Sequence, residues 1–170
     1  MHRKRLHTTW LVSLFSLVAT VQLLAQARQI PSNATLSDQF GTEVRLGQLA
    51  VSGSLVVIYS AEREAGDYLK AWYQALRARL PADTILLAVA GLGSVPFFVP
   101  RNAIIKQLVA DYPDLPILLD WQDSLGPVLS AGKSKATATS YAGGRPLMHV
   151  IGEYTATQTA RLLESLTARP

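Results

Sequence analysis

The chain has 170 residues, 16 Lys plus Arg against 12 Asp plus Glu, three histidines and no cysteine. That length suffices for one domain with a proper hydrophobic core. The absence of cysteine excludes disulfides, thiol chemistry and thiolate-bound metals, so stability must come from packing.

Residues 1–27 read as a targeting segment. A basic patch (His2, Arg3, Lys4, Arg5) precedes an apolar run from Trp10 to Leu24, and Ala25-Gln26-Ala27 supplies a small-x-small cleavage site. The run is about 15 residues, diluted by Ser13, Ser16, Thr20 and Gln22, and falls short of the roughly 20 that span a bilayer. The expectation is a signal peptide cleaved after Ala27 and a periplasmic or secreted protein spanning 28–170. Such a protein meets the membrane only through its transient signal; an uncleaved anchor is the alternative reading. Sixteen basic residues less the three in the signal leave 13 against 12 acids, so the positive balance belongs to the targeting segment. No nucleic-acid partner is expected from it. His149 is the one histidine beyond the signal, too few for a histidine metal cluster, and no metal or cofactor is expected.

Leu36 to Leu46 places Phe40, Val44 and Leu46 around a polar turn at Gly41, which predicts a β-hairpin. Leu46 to Leu49 reads as a connection to the break at Gly53. Leu55 to Tyr59 is a continuous apolar run, the pattern of a strand covered on both faces. The polar loop that follows opens a helix with its expected N-cap at Asp67 and an apolar stripe of Leu69, Trp72, Tyr73, Leu76 and Leu80. Thr84 to Ala90 is a second buried-type strand. A helix from Arg101 to Asp111 has Ile104, Ile105, Leu108 and Tyr112 as its inner face. Ile117 to Leu119 is a third strand, and a short helical piece lies around Pro127 to Leu129. Ala136 to Tyr141 has strand propensity from its threonines, Gly143-Gly144 marks a hairpin turn, and Leu147 to Ile151 is the partner strand. Thr155-Ala156-Thr157-Gln158 is a capping box ahead of a terminal helix with Leu162, Leu163 and Leu166 inside. Strands alternating with helices predict an α/β fold with a parallel core, edged by the late antiparallel hairpin.

This order resembles the thioredoxin-like fold in its redoxin form. Leu36-Ser-Asp-Gln-Phe-Gly-Thr-Glu-Val-Arg-Leu46 resembles the family's opening hairpin, and Val56-Val-Ile-Tyr-Ser60 the strand before the redox loop. Gly143-Gly144-Arg145 resembles the late hairpin turn, and Gly152 to Leu166 the exit into the last helix. The resemblance implies a central mixed sheet with helices on both faces and an N-terminal β-hairpin extension. It also implies redox cysteines within Ala61 to Tyr68, where this chain has Ala-Glu-Arg-Glu-Ala-Gly-Asp-Tyr. The family's cis-proline falls near Lys135, and no proline lies between Lys133 and Tyr141. The chain is thus similar to the cysteine-free envelope members of that superfamily, and no catalytic residue carries over.

Several residues remain as candidates. Glu62, Arg63, Glu64 and Asp67 occupy the degenerate redox loop. They read as an acidic lead into a helix N-terminus, with carboxylate acid–base or metal-assisted chemistry as the alternative. Gly91-x-Gly93 lacks the third glycine of a dinucleotide fingerprint and reads as a turn. His149, Ser140 and Asp120 lack a nucleophile elbow around the serine and are not read as a triad. Trp121 and the rigid Pro96-Phe97-Phe98-Val99-Pro100 stretch are candidate partner contacts, with burial of one phenylalanine the ordinary expectation. The resulting reading is a non-catalytic binding or scaffold module whose partner is another envelope protein or a peptide. The alternatives are an accessory subunit of an envelope thiol-redox system and a carboxylate enzyme.

Overall fold

A computed structural model describes residues 28–62, 64–129 and 136–168. The targeting segment, Arg63 and the Lys135 position fall outside them.

The strands are β1 (Leu36–Asp38), β2 (Glu43–Val44), β3 (Ser54–Ser60), β4 (Thr84–Gly91), β5 (Ile117–Asp120), β6 (Thr137–Ala142) and β7 (Arg145–Ile151). The helices are α1 (Leu46–Ser52), α2 (Ala65–Arg77), α3 (Arg101–Asp111), α4 (Gly126–Leu129) and α5 (Ala156–Thr167). The strands form one sheet in the order β2-β1-β5-β4-β3-β6-β7. β3 and β4 are parallel from Ser54↔Thr84 to Ser60↔Ala90, and β5 continues the parallel block beside β4. Both flanks are antiparallel: β6 runs against β3, and β1 against β5. The mixed sheet with an N-terminal hairpin is therefore the architecture the residue pattern predicts.

All seven residues of β3 are buried, as a strand with helices over both faces requires. Its side chains alternate between two cores. Val56 and Ile58 face the larger core, built with Leu69, Trp72 and Leu76 of α2 and Leu162 and Leu166 of α5. Leu55, Val57 and Tyr59 face the other, with Leu46 and Ala50 of α1, Leu125 and Leu129 around α4, and Tyr141. In α2, Leu69, Trp72 and Leu76 are fully buried at helical spacing, each worth about 2 kcal/mol of apolar transfer. Trp72 also donates from Nε1 to the Gly152 carbonyl (3.1 Å), tying α2 to the end of β7. At α5 the capping expectation holds: Thr155 Oγ1 accepts the Gln158 N–H at 3.2 Å.

Two expectations need correction. Residues 46–52 form a helix rather than a plain connection, because Leu46 and Ala50 share one buried face one turn apart. The N-cap position of α2 is Glu64, with no side-chain cap bond, and Asp67 lies within the first turn. The inner face expected of α3 is the one observed: Ile104, Ile105, Leu108 and Tyr112 are half-buried while the rest of the helix is exposed, and with none of its residues fully buried this helix rests lightly on the sheet.

The two margins of the sheet are irregular. β2 is only two residues long. β7 carries Pro146 opposite Tyr141, with a register shift between Ser140 and Tyr141.

Candidate functional site

Three loops leave the C-terminal ends of the parallel strands β3, β4 and β5, the end of an open α/β sheet where ligands gather. The first is the loop after β3, where the resemblance places the redox cysteines. Ser60 is buried at the end of β3 and its Oγ accepts the Glu62 N–H at 3.4 Å; the Glu62 carbonyl then accepts the Ala65 N–H that starts α2. Glu62, Glu64 and Asp67 are all exposed, and Arg63 lies outside the described residues. Asp67 accepts a hydrogen bond from the Tyr112 hydroxyl (3.0 Å). The Tyr112 ring lies against Gly66, where a Cβ would collide with it. Burial, then the Asp67 hydrogen bond and the charges of Asp67 and Asp111, push the Tyr112 hydroxyl up to about 12. It therefore stays a proton donor to Asp67, and α3 is latched to the start of α2. Among the described residues no three His, Asp or Glu side chains converge as a metal site would require.

β3 and the third loop are joined by a contact that the sequence did not signal. The Tyr59 hydroxyl donates to Asp123 Oδ1 at 2.8 Å. Burial, the Asp123 hydrogen bond and the charges of Asp123 and Asp120 raise the pKa of Tyr59 far above the usual phenol value. Asp123 holds a φ of 53°, the left-handed region that aspartate tolerates better than most residues. A Cβ at Gly91 would strike the Tyr59 hydroxyl, one at Gly93 the Asp123 side chain, and one at Gly126 the Asp123 carboxylate. These glycines make room for Tyr59 and Asp123, which is the physical content of the Gly91-x-Gly93 turn. Asp120 is fully buried and accepts from Ser124 N (2.9 Å), Ser124 Oγ (2.9 Å) and Leu125 N (2.7 Å), so its carboxylate pins the turn into α4.

His149 does not meet Asp120, since β7 and β5 are separated by three strands. Its Nδ1 pairs with Thr139 Oγ1 at 2.7 Å, while Ser140 pairs with Ser165. Burial, aided by the Arg28 charge, lowers the His149 pKa to about 4, and Nε2 is buried without a partner.

Phe97 and Phe98 are both exposed, at 99 % and 72 %, where burial of one was the ordinary expectation. Their rings meet edge to face at 5.8 Å, between Pro96 and Pro100. Trp121 is half-buried, and the Arg101 guanidinium lies over its ring, 4.9 Å from the centroid. A groove of about 610 Å³ opens beside this stack, lined by the hairpin from Leu36 to Phe40, by Arg101 and Ile105 of α3, and by Asp120 and Trp121. One wall is set by a residue that sequence reasoning missed. Gln39, 4 % exposed, donates from Nε2 to the Leu115 carbonyl (2.8 Å) and the Tyr112 carbonyl (3.3 Å), and its Oε1 accepts the Ile117 N–H (2.7 Å).

The architecture is that of the thioredoxin-like proteins, and solved structures agree. The exposed lipoprotein thioredoxin of Streptococcus pneumoniae superposes with a TM-score of 0.61 at 17 % identity, covering 78 % of this chain and 98 % of that one. Peroxiredoxin Q of Xanthomonas campestris gives 0.59 at 16 % identity, over 85 % and 97 % of the two chains. A secreted disulfide oxidoreductase of Mycobacterium tuberculosis, described as homologous to E. coli DsbE, gives 0.53 at 12 % identity, over 81 % and 97 %. No family model matches the chain, and no curated protein matches it in sequence. The likeness is one of fold.

Proposed function

We propose that this chain is an exported, cysteine-free thioredoxin-like protein that acts as a non-catalytic binding module in the cell envelope. The observation that carries the reading is the pairing of a retained thioredoxin-like frame with a chain that holds no cysteine. Where redoxins place their thiols, β3 runs into Ala61-Glu62-Arg63-Glu64 with its acids in open water. Export is supported by the basic and apolar pattern of residues 1–27, and two of the fold's neighbours are described as an exposed lipoprotein and a secreted enzyme. On this reading the signal is removed after Ala27 and the partner is a protein or peptide.

Two measurements on protein recovered from the envelope fraction test it. N-terminal sequencing should begin at Arg28, and insulin-reduction and peroxide-consumption assays should stay at the blank. Sustained turnover in either assay without an added thiol protein would overturn the proposal.

A further inference from the structure

A strap crosses the face of the sheet that carries α1. Residues 28–34 run along that helix, and Ile30, 5 % exposed, enters the core beside Leu46, Ala50 and Tyr141. The Pro31 and Ser32 carbonyls lie so close to Gly47 that a Cβ there would strike both. The Gly47 N–H, a first-turn amide with no partner inside its own helix, donates to the Ala34 carbonyl at 3.3 Å. One side chain holds the start of the strap: the hydroxyl of the buried Tyr141 donates to the Arg28 carbonyl at 2.9 Å. A cavity of about 410 Å³ lies between the strap, α1 and Gly144.

His149 belongs to the same corner. It is the cross-strand neighbour of Thr139, which lies two residues before Tyr141 on the same face of β6. Its Nδ1 meets Thr139 Oγ1 at 2.7 Å, and its Nε2 is buried without a partner. A neutral ring suits that setting, because an unpaired charged N–H costs far more to bury than an unpaired lone pair. Among the described residues the charge that acts on His149 is that of Arg28, which acts on the Tyr141 hydroxyl too. A chain cleaved after Ala27 adds an α-ammonium at Arg28, which titrates at about 8 and stays charged in acid. The other elements of this face supply no acid to offset a proton. α1 and α4 hold no titratable side chain, and β6 holds only Tyr141. Arg45, at the start of α1, is exposed and lies 3.9 Å from Glu43. Arg145 and Glu153 each lie four residues from His149 along the chain. Arg161 and Glu164 belong to α5, on the opposite face, where Val150 joins Leu162 and Leu166.

We infer that residues 28–34 are an acid-released strap with His149 as its trigger. A proton on the imidazole sets a second cation against Arg28 and a charged N–H at Nε2 with nothing to accept it. Both are relieved when the strap lifts. Arg28 moves off, the Tyr141 hydroxyl loses its acceptor, and the slot that Ile30 fills beside Leu46 and Ala50 opens to water. Protons therefore favour the open form. His149 titrates at about 4 with the strap closed; with the ordinary 6.5 regained on opening, the open fraction rises by at most about tenfold per pH unit between the two values. Over that window the rise is at most about 300-fold, and above 6.5 the fraction is constant. The device is independent of the proposed binding role.

Because the chain has no cysteine, one introduced thiol reports on the strap. Ile30→Cys in the full-length chain is labelled with a pyridyl disulfide from about pH 8 to about pH 4, and each rate is divided by that of a free peptide of residues 28–34 bearing the same cysteine. The ratio should be flat above pH 6.5 and rise up to about tenfold per unit below it. In I30C/H149Q, where glutamine keeps a partner for Thr139, it should stay flat throughout. Val56→Cys, at the centre of β3, should stay protected over the whole range. Hydrogen exchange at the Gly47 amide of the parent chain, corrected for the intrinsic rate, gives the same reading without a substitution in the strap, and its acid-induced opening should vanish in H149Q. The inference is overturned if labelling at Ile30 and exchange at Gly47 are both independent of pH. It is equally overturned by an undiminished acid response in H149Q, or by an equal rise at Val56, which would make the opening global.

Discussion

Gln39 offers the most direct quantitative check on how the hairpin is held. Its side chain is a buried three-way connector between the hairpin and the chain entering β5. Gln39→Leu keeps nearly the same volume and removes every polar contact. The Ile117 N–H and the Leu115 carbonyl then lose their side-chain partner in a region water does not reach. A buried polar group left unsatisfied costs about 1–3 kcal/mol, so the two close contacts together cost about 2–6 kcal/mol before the apolar gain of leucine is subtracted. The weak Tyr112 contact adds little. We expect a net loss of about 3 kcal/mol, measured by urea unfolding of the 28–170 chain. Hydrogen exchange adds the location: the Ile117 amide should lose protection, while amides at the centre of β3 keep theirs. A loss below about 0.5 kcal/mol, the scatter of ordinary surface substitutions, would refute the reasoning.

Two further outcomes follow from groups described above. His149 titrates near 4 in the folded protein against an ordinary 6.5, so folding favours its neutral form. Above pH 6.5 both states are neutral and stability is full; between 6.5 and about 4 only the unfolded chain takes the proton, and stability falls with pH. His149→Gln should flatten that part of the stability–pH curve relative to the parent, and superimposable curves would rule out the burial argument. Tyr59→Phe removes the hydrogen bond to Asp123 and should cost about 1–3 kcal/mol, as bonds to charged groups do. A double-mutant cycle with Asp123→Asn should show positive coupling, and strict additivity would mean that the two side chains do not support each other.

Much of the frame was legible because it rests on local patterns. The all-apolar run of β3, the stripe of α2, the Gly143-Gly144 turn and the Thr155 cap each announce themselves within a few residues. α1 was not, since its seven residues include Gly47 and Val51, poor helix formers, and its buried face reduces to Leu46 and Ala50. The start of α2 was misplaced because Asp67 has N-cap chemistry, while the backbone already turns at Glu64. The connectors Gln39 and Tyr59–Asp123 join residues more than sixty positions apart, so no spacing rule reveals them. At the candidate surface, the sequence nominated Trp121, Phe97 and Phe98. It was silent on Arg101, whose guanidinium lies over a tryptophan twenty positions later.

The irregular margins of the sheet bear on how many copies of this chain can coexist while folding. An open sheet edge is a template on which a second molecule can add a strand, and a protein without cysteines has no covalent lock once its native contacts loosen. Here one edge strand stops after two residues. The other bears Pro146, which has no N–H to donate, beside a break in register. The short β2 gives a neighbour almost no ladder, whereas Met148–Ile151 of β7 stays in regular register with β6, so strand-by-strand growth is obstructed at the first margin and only near one end of the second.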